Sequence, residues 1–235
     1  MLRDDTICDK AISSQRATGV VALIVHLLAN VPVARAGDDF GSWHALSLKF
    51  HDDERWTLSA VGQLRFRDAS SEWFAYQLSP QVVYKVSPYL RLGMNCTYLP
   101  TKPPGSDDFL DQHRWETEIN PRWPVNGWLT LDLRNRFELR WLEGRRGTNE
   151  RSRHRPQANL KVKGLGPLES IFINNEFFYD YVAHRYSENR LVPLGLSFHV
   201  SEHVGFSTYY MLQSVRANGD WNNSHVLGTQ LSVAF

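Results

Sequence analysis

Sulfur is scarce in this chain of 235 residues, which carries two cysteines, Cys8 and Cys96, far apart in sequence. If the N-terminus is removed, Cys96 is alone and no intrachain disulfide can form. No cluster of cysteines and histidines has metal-ligand spacing, and no glycine-rich phosphate loop is present. No metal or cofactor is therefore expected. Long apolar runs are equally scarce. A mean hydropathy of −0.40 and 22% charged residues exclude a helical membrane protein. They do not exclude a membrane β-barrel, whose strands are only half apolar. The formal charge of +1 lacks the basic excess of a nucleic-acid binder, so no nucleic-acid partner is expected.

The one long apolar stretch, Val20–Val33, is short for a membrane span and is interrupted by His26, Asn30 and Pro32. Arg16 precedes it, and Ala34-Arg35-Ala36 follows with small residues where a signal peptidase reads. Residues 1–36 therefore read as a cleavable secretory signal, and residues 37–235 as the exported domain. Asp4, Asp5 and Asp9 are unusual in such a leader. Removing the leader takes away four basic and three acidic residues, so the remainder is formally neutral.

What the chain has in quantity is alternation. In Leu129–Trp141, one set of alternate residues is Leu129, Leu131, Leu133, Asn135, Phe137, Leu139 and Trp141. The other is Thr130, Asp132, Arg134, Arg136, Glu138 and Arg140. A strand separates residues this way, because successive side chains point to opposite faces. A helix would spread the arginines around its circumference. A soluble sheet with an apolar core face fits this pattern, and so does a membrane barrel with its apolar face toward lipid.

The rest of residues 37–235 repeats the theme without a convincing helix or linker. Eleven period-two segments follow one another, mostly 10 to 15 residues long, a length that suits tilted strands crossing a bilayer. The alternation of 188–200 is less clean and predicts a bulge. Connections at 51–54, 87–88, 124–127, 164–167 and 201–203 are short. Those at 101–111, 144–150, 182–187 and 216–222 are longer, the asymmetry of an outer-membrane barrel. Tryptophans and other aromatics gather near segment ends, where interface girdles lie. Leu231, Val233 and the terminal Phe235 are in phase, like the signal that outer-membrane barrels present to their assembly machinery. An even strand number with both termini at one end is the rule for single-chain bacterial barrels. The expectation is thus an all-β, antiparallel, up-and-down transmembrane barrel of 10–12 strands, ten or twelve if the even-number rule holds.

Several short motifs occur in order: W-E-T-E-I-N-P (115–121), L-R-N-R-F-E-L-R (133–140), R-S-R-H-R-P (151–156), N-N-E-F-F (174–178), E-N-R-L (188–191) and the Tyr-Tyr…Gln run at 209–213. Together they resemble the bacterial family called domain of unknown function 2490 over most of residues 37–235. The resemblance implies an outer-membrane barrel and brings no activity, substrate or catalytic residues.

The polar faces collect Arg114, Glu116, Glu118, Arg122, Asp132, Arg134, Arg136, Glu138, Arg140, Arg151, Arg153, Arg155, Glu176 and Arg190. Antiparallel neighbours would set Glu116 and Glu118 beside the arginines of 134–140, and these beside 151–155. Cross-strand opposite charges attract, and arginine forks bind carboxylates bidentately. Such a network can fill a narrow lumen and hold the wall together. Because arginines outnumber carboxylates, it can also select anions. Glu116 and Glu118 stand about 6.5–7 Å apart along one strand face, a separation open to acid–base chemistry, but flanking arginines make ion pairing their expected role. Ser207, Ser224 and Ser232 are available nucleophiles without a recognisable elbow, and the histidines at 113, 154, 184, 199, 203 and 225 are scattered. The leading expectation is an outer-membrane barrel in contact with lipid, structural or passing small anions. The alternatives are a lipid-modifying enzyme in that membrane and a soluble, lipocalin-like binding barrel in the periplasm.

Overall fold

The computed structural model describes residues 39–217 and 219–235; the expected leader lies outside them. Eleven strands follow in order: β1 (Asp39–Asp52), β2 (Trp56–Arg67), β3 (Glu72–Ser87), β4 (Leu90–Tyr98), β5 (Gln112–Pro124), β6 (Leu129–Leu142), β7 (Asn149–Lys161), β8 (Leu168–Asp180), β9 (Arg185–Ser201), β10 (Val204–Ala217) and β11 (Asp220–Ala234). Each pairs with its sequence neighbours, and β1 pairs with β11 to close the barrel. A 13-residue strand such as β5 extends roughly 43 Å, enough to cross a ~25 Å apolar band at a ~45° tilt.

The barrel is inside-out relative to a soluble protein. Leu131, Phe137 and Trp141 of β6 are exposed, whereas Thr130, Arg136, Glu138 and Arg140 of the same strand are buried. Leu58 and Leu64 on β2, Leu92 and Met94 on β4, and Leu227 and Leu231 on β11 likewise face out. A water-facing wall would leave this apolar surface unsatisfied, while lipid accepts it. The lipocalin-like alternative needs apolar residues inside and charges outside, and this arrangement overturns it.

Two girdles frame the outer wall. Trp56 packs on Tyr84 at one end, which also carries exposed Trp123 and Trp128. At the other, Trp73, Tyr76, Tyr98 and Phe109 form a connected ring cluster. Seven of the eight tryptophans are exposed on this wall; Trp43 is the exception and faces in, 5% exposed. Aromatic rings suit the boundary between apolar and hydrated layers.

The count of eleven among the described residues lies within the expected 10–12 but is odd, which corrects the even-number rule. Every neighbouring pair is antiparallel except β1 and β11, which run parallel with Asp39 opposite Ser224 and Lys49 opposite Ala234. Reversing direction at each turn makes the first and last of eleven strands point the same way. Asp39 and Phe235 therefore lie at opposite ends, not together. The expected loop asymmetry is also reduced. Residues 216–222 are not a loop: β10 runs to Ala217 and β11 starts at Asp220. The connection at 99–111 stands out for length at its end of the barrel, and it is pinned by bridges from Thr101 to Ala75 and Leu110.

Two local features explain how the wall is built. Residues 125–128 turn through Asn126, whose side-chain Oδ1 accepts hydrogen bonds from the backbone N–H groups of Trp128 (3.0 Å) and Leu129 (2.9 Å). The expected bulge in β9 is present: Asn174 pairs with Val192, but Phe172 pairs with Gly195. Pro193, which has no N–H for the ladder, sits in that irregularity. The inward set changes there from Glu188, Arg190 and Val192 to Gly195 and Ser197, which is why the alternation is blurred.

Candidate functional site

The inward faces of β5 to β9 bring most of the predicted residues into ion pairs. On β6, Arg136 reaches back to both β5 carboxylates, with Nη1 2.8 Å from Glu116 Oε2 and Nη2 on Glu118 Oε1. Asn95 of β4 donates to the same two carboxylates at 3.3 and 3.2 Å. A second chain runs around the wall. Arg134 Nη2 lies 2.5 Å from Glu176 Oε1, and Arg153 grips Glu176 through Nε (3.0 Å) and Nη2 (3.1 Å). Arg153 Nη1 is also 2.8 Å from Glu138 Oε1, whose Oε2 is 2.7 Å from Arg151. Arg151 then approaches Glu188 at 3.7 Å, and Glu188 accepts from Arg190 at 2.6 Å. Glu138 is 0% and Glu116 1% exposed, so these charges are tolerable only because they are paired.

The register mixes opposed unlike charges, such as Glu118 with Arg136 and Glu138 with Arg151, with opposed like ones. Directly opposite residues include Arg114 with Arg140, Glu116 with Glu138, Arg134 with Arg155, and Arg136 with Arg153. Like charges so placed repel. The network escapes by pairing diagonally, as Glu116 does with Arg136 and Glu138 with Arg153. Arg140 turns to Asp180 (3.0 Å), and Arg122 meets Asp132 at 3.7 Å. Among the described residues, Arg114 and Arg155 make no ion pair; Arg114 donates to Gln112 (2.6 Å) instead.

Several interior residues were missing from the expected set. Phe178, 0% exposed, has the guanidinium carbons of Arg151, Arg153 and Arg190 at 4.8, 4.7 and 4.7 Å from its ring centre. Trp43 takes Arg65 at 4.2 Å and Arg190 at 4.8 Å in the same way. Cations over aromatic faces gain electrostatic attraction while remaining packed. Glu188, Arg65 and Arg91 also face in, the last two without an ion pair among the described residues. The signal for all five was parity: each shares an alternate set with a polar or charged residue, and Glu188 lies two before Arg190. For Phe178 and Trp43, an apolar residue in a polar set hid it.

Two cavities occupy the lumen. One of about 410 Å³ is lined by Arg65, Arg114, Gln77, Asn174 and Tyr209, among others; one of about 480 Å³ lies nearer the 125–128 turn, beside Arg91, Arg122, Asp132 and Gln157. Gln81, Arg134, Arg136 and Arg155 line both.

Nucleophile–base geometry is thin. Ser207 contacts Ser197 at 3.2 Å, and His154 Nδ1 lies 2.8 Å from Asn135 Oδ1 on the outer wall. A Ser–His contact that the sequence reading missed joins Ser42 Oγ to His44 Nε2 at 3.2 Å, with His44 Nδ1 2.9 Å from Thr229 Oγ1. The orienting partner there is a neutral hydroxyl, not the carboxylate of an activated serine.

An inside-out closed barrel with a charged lumen defines the class of transmembrane β-barrels. Within it, the chain belongs to the DUF2490 family, described as proteins of unknown function, whose model matches residues 40–224. In overall structure it is similar to a NanC porin solved in a rhombohedral crystal form, with a TM-score of 0.51 and 12% identity over 81% of this chain and 97% of the porin chain. At that identity the likeness is one of fold. No match to a curated protein was found.

Proposed function

We propose that the protein is an outer-membrane barrel, exported through its N-terminal leader, that passes small hydrophilic solutes and prefers anions. The observation that carries this is the charge balance of the interior. Each inward carboxylate of β5 to β9 has an arginine partner, while Arg65, Arg91, Arg114 and Arg155 have no ion pair among the described residues and line the two cavities. Lumen rings of uncompensated guanidinium groups raise the local anion concentration and repel cations. The likeness to a porin fold supports passage as the use of such a lumen. Leu231, Val233 and Phe235 face outward at the chain end and would serve as the recognition strand for barrel assembly.

The test is conductance across a planar lipid bilayer separating unequal KCl concentrations. A reversal potential of the sign set by chloride supports the proposal, and replacing Arg65, Arg91 and Arg114 together with glutamine should move it toward zero. A cation-preferring current, or none from correctly folded barrels, sinks it.

One alternative has an observation of its own. The continuous chain Arg134–Glu176–Arg153–Glu138–Arg151–Glu188–Arg190 ties β6, β7, β8 and β9 together from inside. A barrel whose task is to brace the envelope would use such a chain and need no permeant solute. It predicts folded barrels that are electrically silent.

A further inference from the structure

We propose that Arg134 and Arg155 form a discrete oxyanion-binding site at the junction of the two lumen cavities. The inference rests on the anion-passing reading and deepens it, from a general preference to a saturable stop for a carboxylate or phosphate group.

Register supplies the first argument. Arg134 on β6 and Arg155 on β7 lie directly opposite, where like charges repel. The nearby carboxylate, Glu176, is already held by Arg153 through both of its oxygens and by Arg134 through one. Arg155 makes no hydrogen bond or ion pair among the described residues, so its fork of N–H donors is uncommitted. A guanidinium with free donors matches an oxyanion bidentately, and a carboxylate and a phosphate offer the same pair of oxygens.

Position supplies the second. Both arginines line both cavities, so a solute moving from one to the other passes between them and Gln81. Asn174 on one side and Gln157 on the other add amide groups within the same wall, joined to each other at 3.4 Å. They can take the uncharged oxygens of a solute whose anionic group rests on Arg155. The roles then divide. Arg155 supplies the net positive charge, and Arg134, half-offset by Glu176, narrows the passage and adds a second donor.

The experiment uses the full barrel in planar bilayers carrying chloride current, with phosphate or gluconate added as probe. Saturable, short-lived interruptions of the current are expected with at least one probe, and whichever anion interrupts at the lower concentration names the preferred source. Arg155→Gln should raise the half-blocking concentration at least tenfold. Arg155→Lys, which keeps the charge but not the fork, should fall between. Block that never saturates, or that is unchanged in Arg155→Gln, overturns the site while leaving the anion preference standing. If the wild-type barrel carries no current, the passage reading fails instead. Calorimetric titration of the detergent-solubilised barrel then decides the site: phosphate or gluconate binding lost in Arg155→Gln upholds it, and no binding by the wild type removes it.

Discussion

Two arcs of one wall fill the barrel interior by opposite means. From β5 to β9 the inward residues are mostly arginines and carboxylates, ion-paired in two networks. From the end of β9 through β10, β11 and β1, the interior is closed by Trp43, Val192, Met211 and Val226, with Phe172 and Tyr209 packed against them. Glycine makes the second arc possible. A side chain at Gly195 would strike the ring of Phe172, and one at Gly228 the ring of Tyr209, so each ring lies flat over a bare stretch of strand. The lesson concerns failure more than strength. Apolar packing degrades in proportion to the volume lost, whereas a buried charge stranded by its partner's removal is costly at once.

The charged arc should therefore break hardest at its centre. Glu138→Gln leaves Arg151 and Arg153 without their shared carboxylate in a fully buried position and should cost about 3–5 kcal/mol. Urea unfolding of the refolded barrel in detergent measures it; a cost below about 1 kcal/mol would mean water reaches these groups freely. The apolar arc should give a smaller, partner-dependent loss. Gly228→Ala forces the Tyr209 ring aside and should cost about 1–3 kcal/mol. In a Tyr209→Ala background the same change should cost almost nothing, and a double-mutant cycle without that coupling would refute the packing account. Smaller again is Arg122→Gln. Its 3.7 Å pair with Asp132 is about one-third exposed on both sides, so the loss should not exceed about 1 kcal/mol and should vanish in high salt.

The contrast between arcs also decides what could be read in the sequence. Strict alternation in Leu129–Trp141 places leucines out and arginines in, because strand parity needs no tertiary information. Alternation fixes the face of a residue but not its neighbour across the ladder, so the like-charge opposition of Arg134 and Arg155 and the diagonal pairs were not visible. Pro193 resets the phase of β9 in mid-strand, which only the pairing reveals. Phe178 and Trp43 are apolar members of polar sets, and their burial depends on arginines contributed by other strands. The count of eleven was legible segment by segment, but a parity rule taken from other barrels argued it away, because a parallel closure of β1 on β11 leaves no mark in composition or spacing. The hairpin at 216–222 looked like a loop because Asn222 and Asp220 are turn-forming residues, yet β10 and β11 pair through to Ala217 and Asp220.

The smallest expected effect lies outside both arcs, in the turn between β1 and β2, and it asks whether anything beyond the lumen network responds to acid. Asp53 Oδ1 accepts backbone hydrogen bonds from Trp56 (2.6 Å) and Arg55 (2.7 Å), and Oδ2 lies 2.9 Å from His51 Nε2. The Trp56 N–H foremost, then His51 and the Arg55 N–H, hold this carboxyl at about 2, below its ordinary 3.8. A carboxyl whose folded value is depressed adds stability that is fully present above about pH 4 and is lost as pH falls through about 2. Asp53→Asn keeps an acceptor oxygen for the two backbone donors but removes the titration. The variant should match wild type in heat or urea resistance at pH 2 and fall slightly behind it at pH 5. Because the turn is open to solvent, the gap should be small and should shrink with added salt. Unfolding midpoints at pH 5, 3 and 2 check this. If wild type and Asp53→Asn decline in parallel across that window, Asp53 contributes none of the acid response.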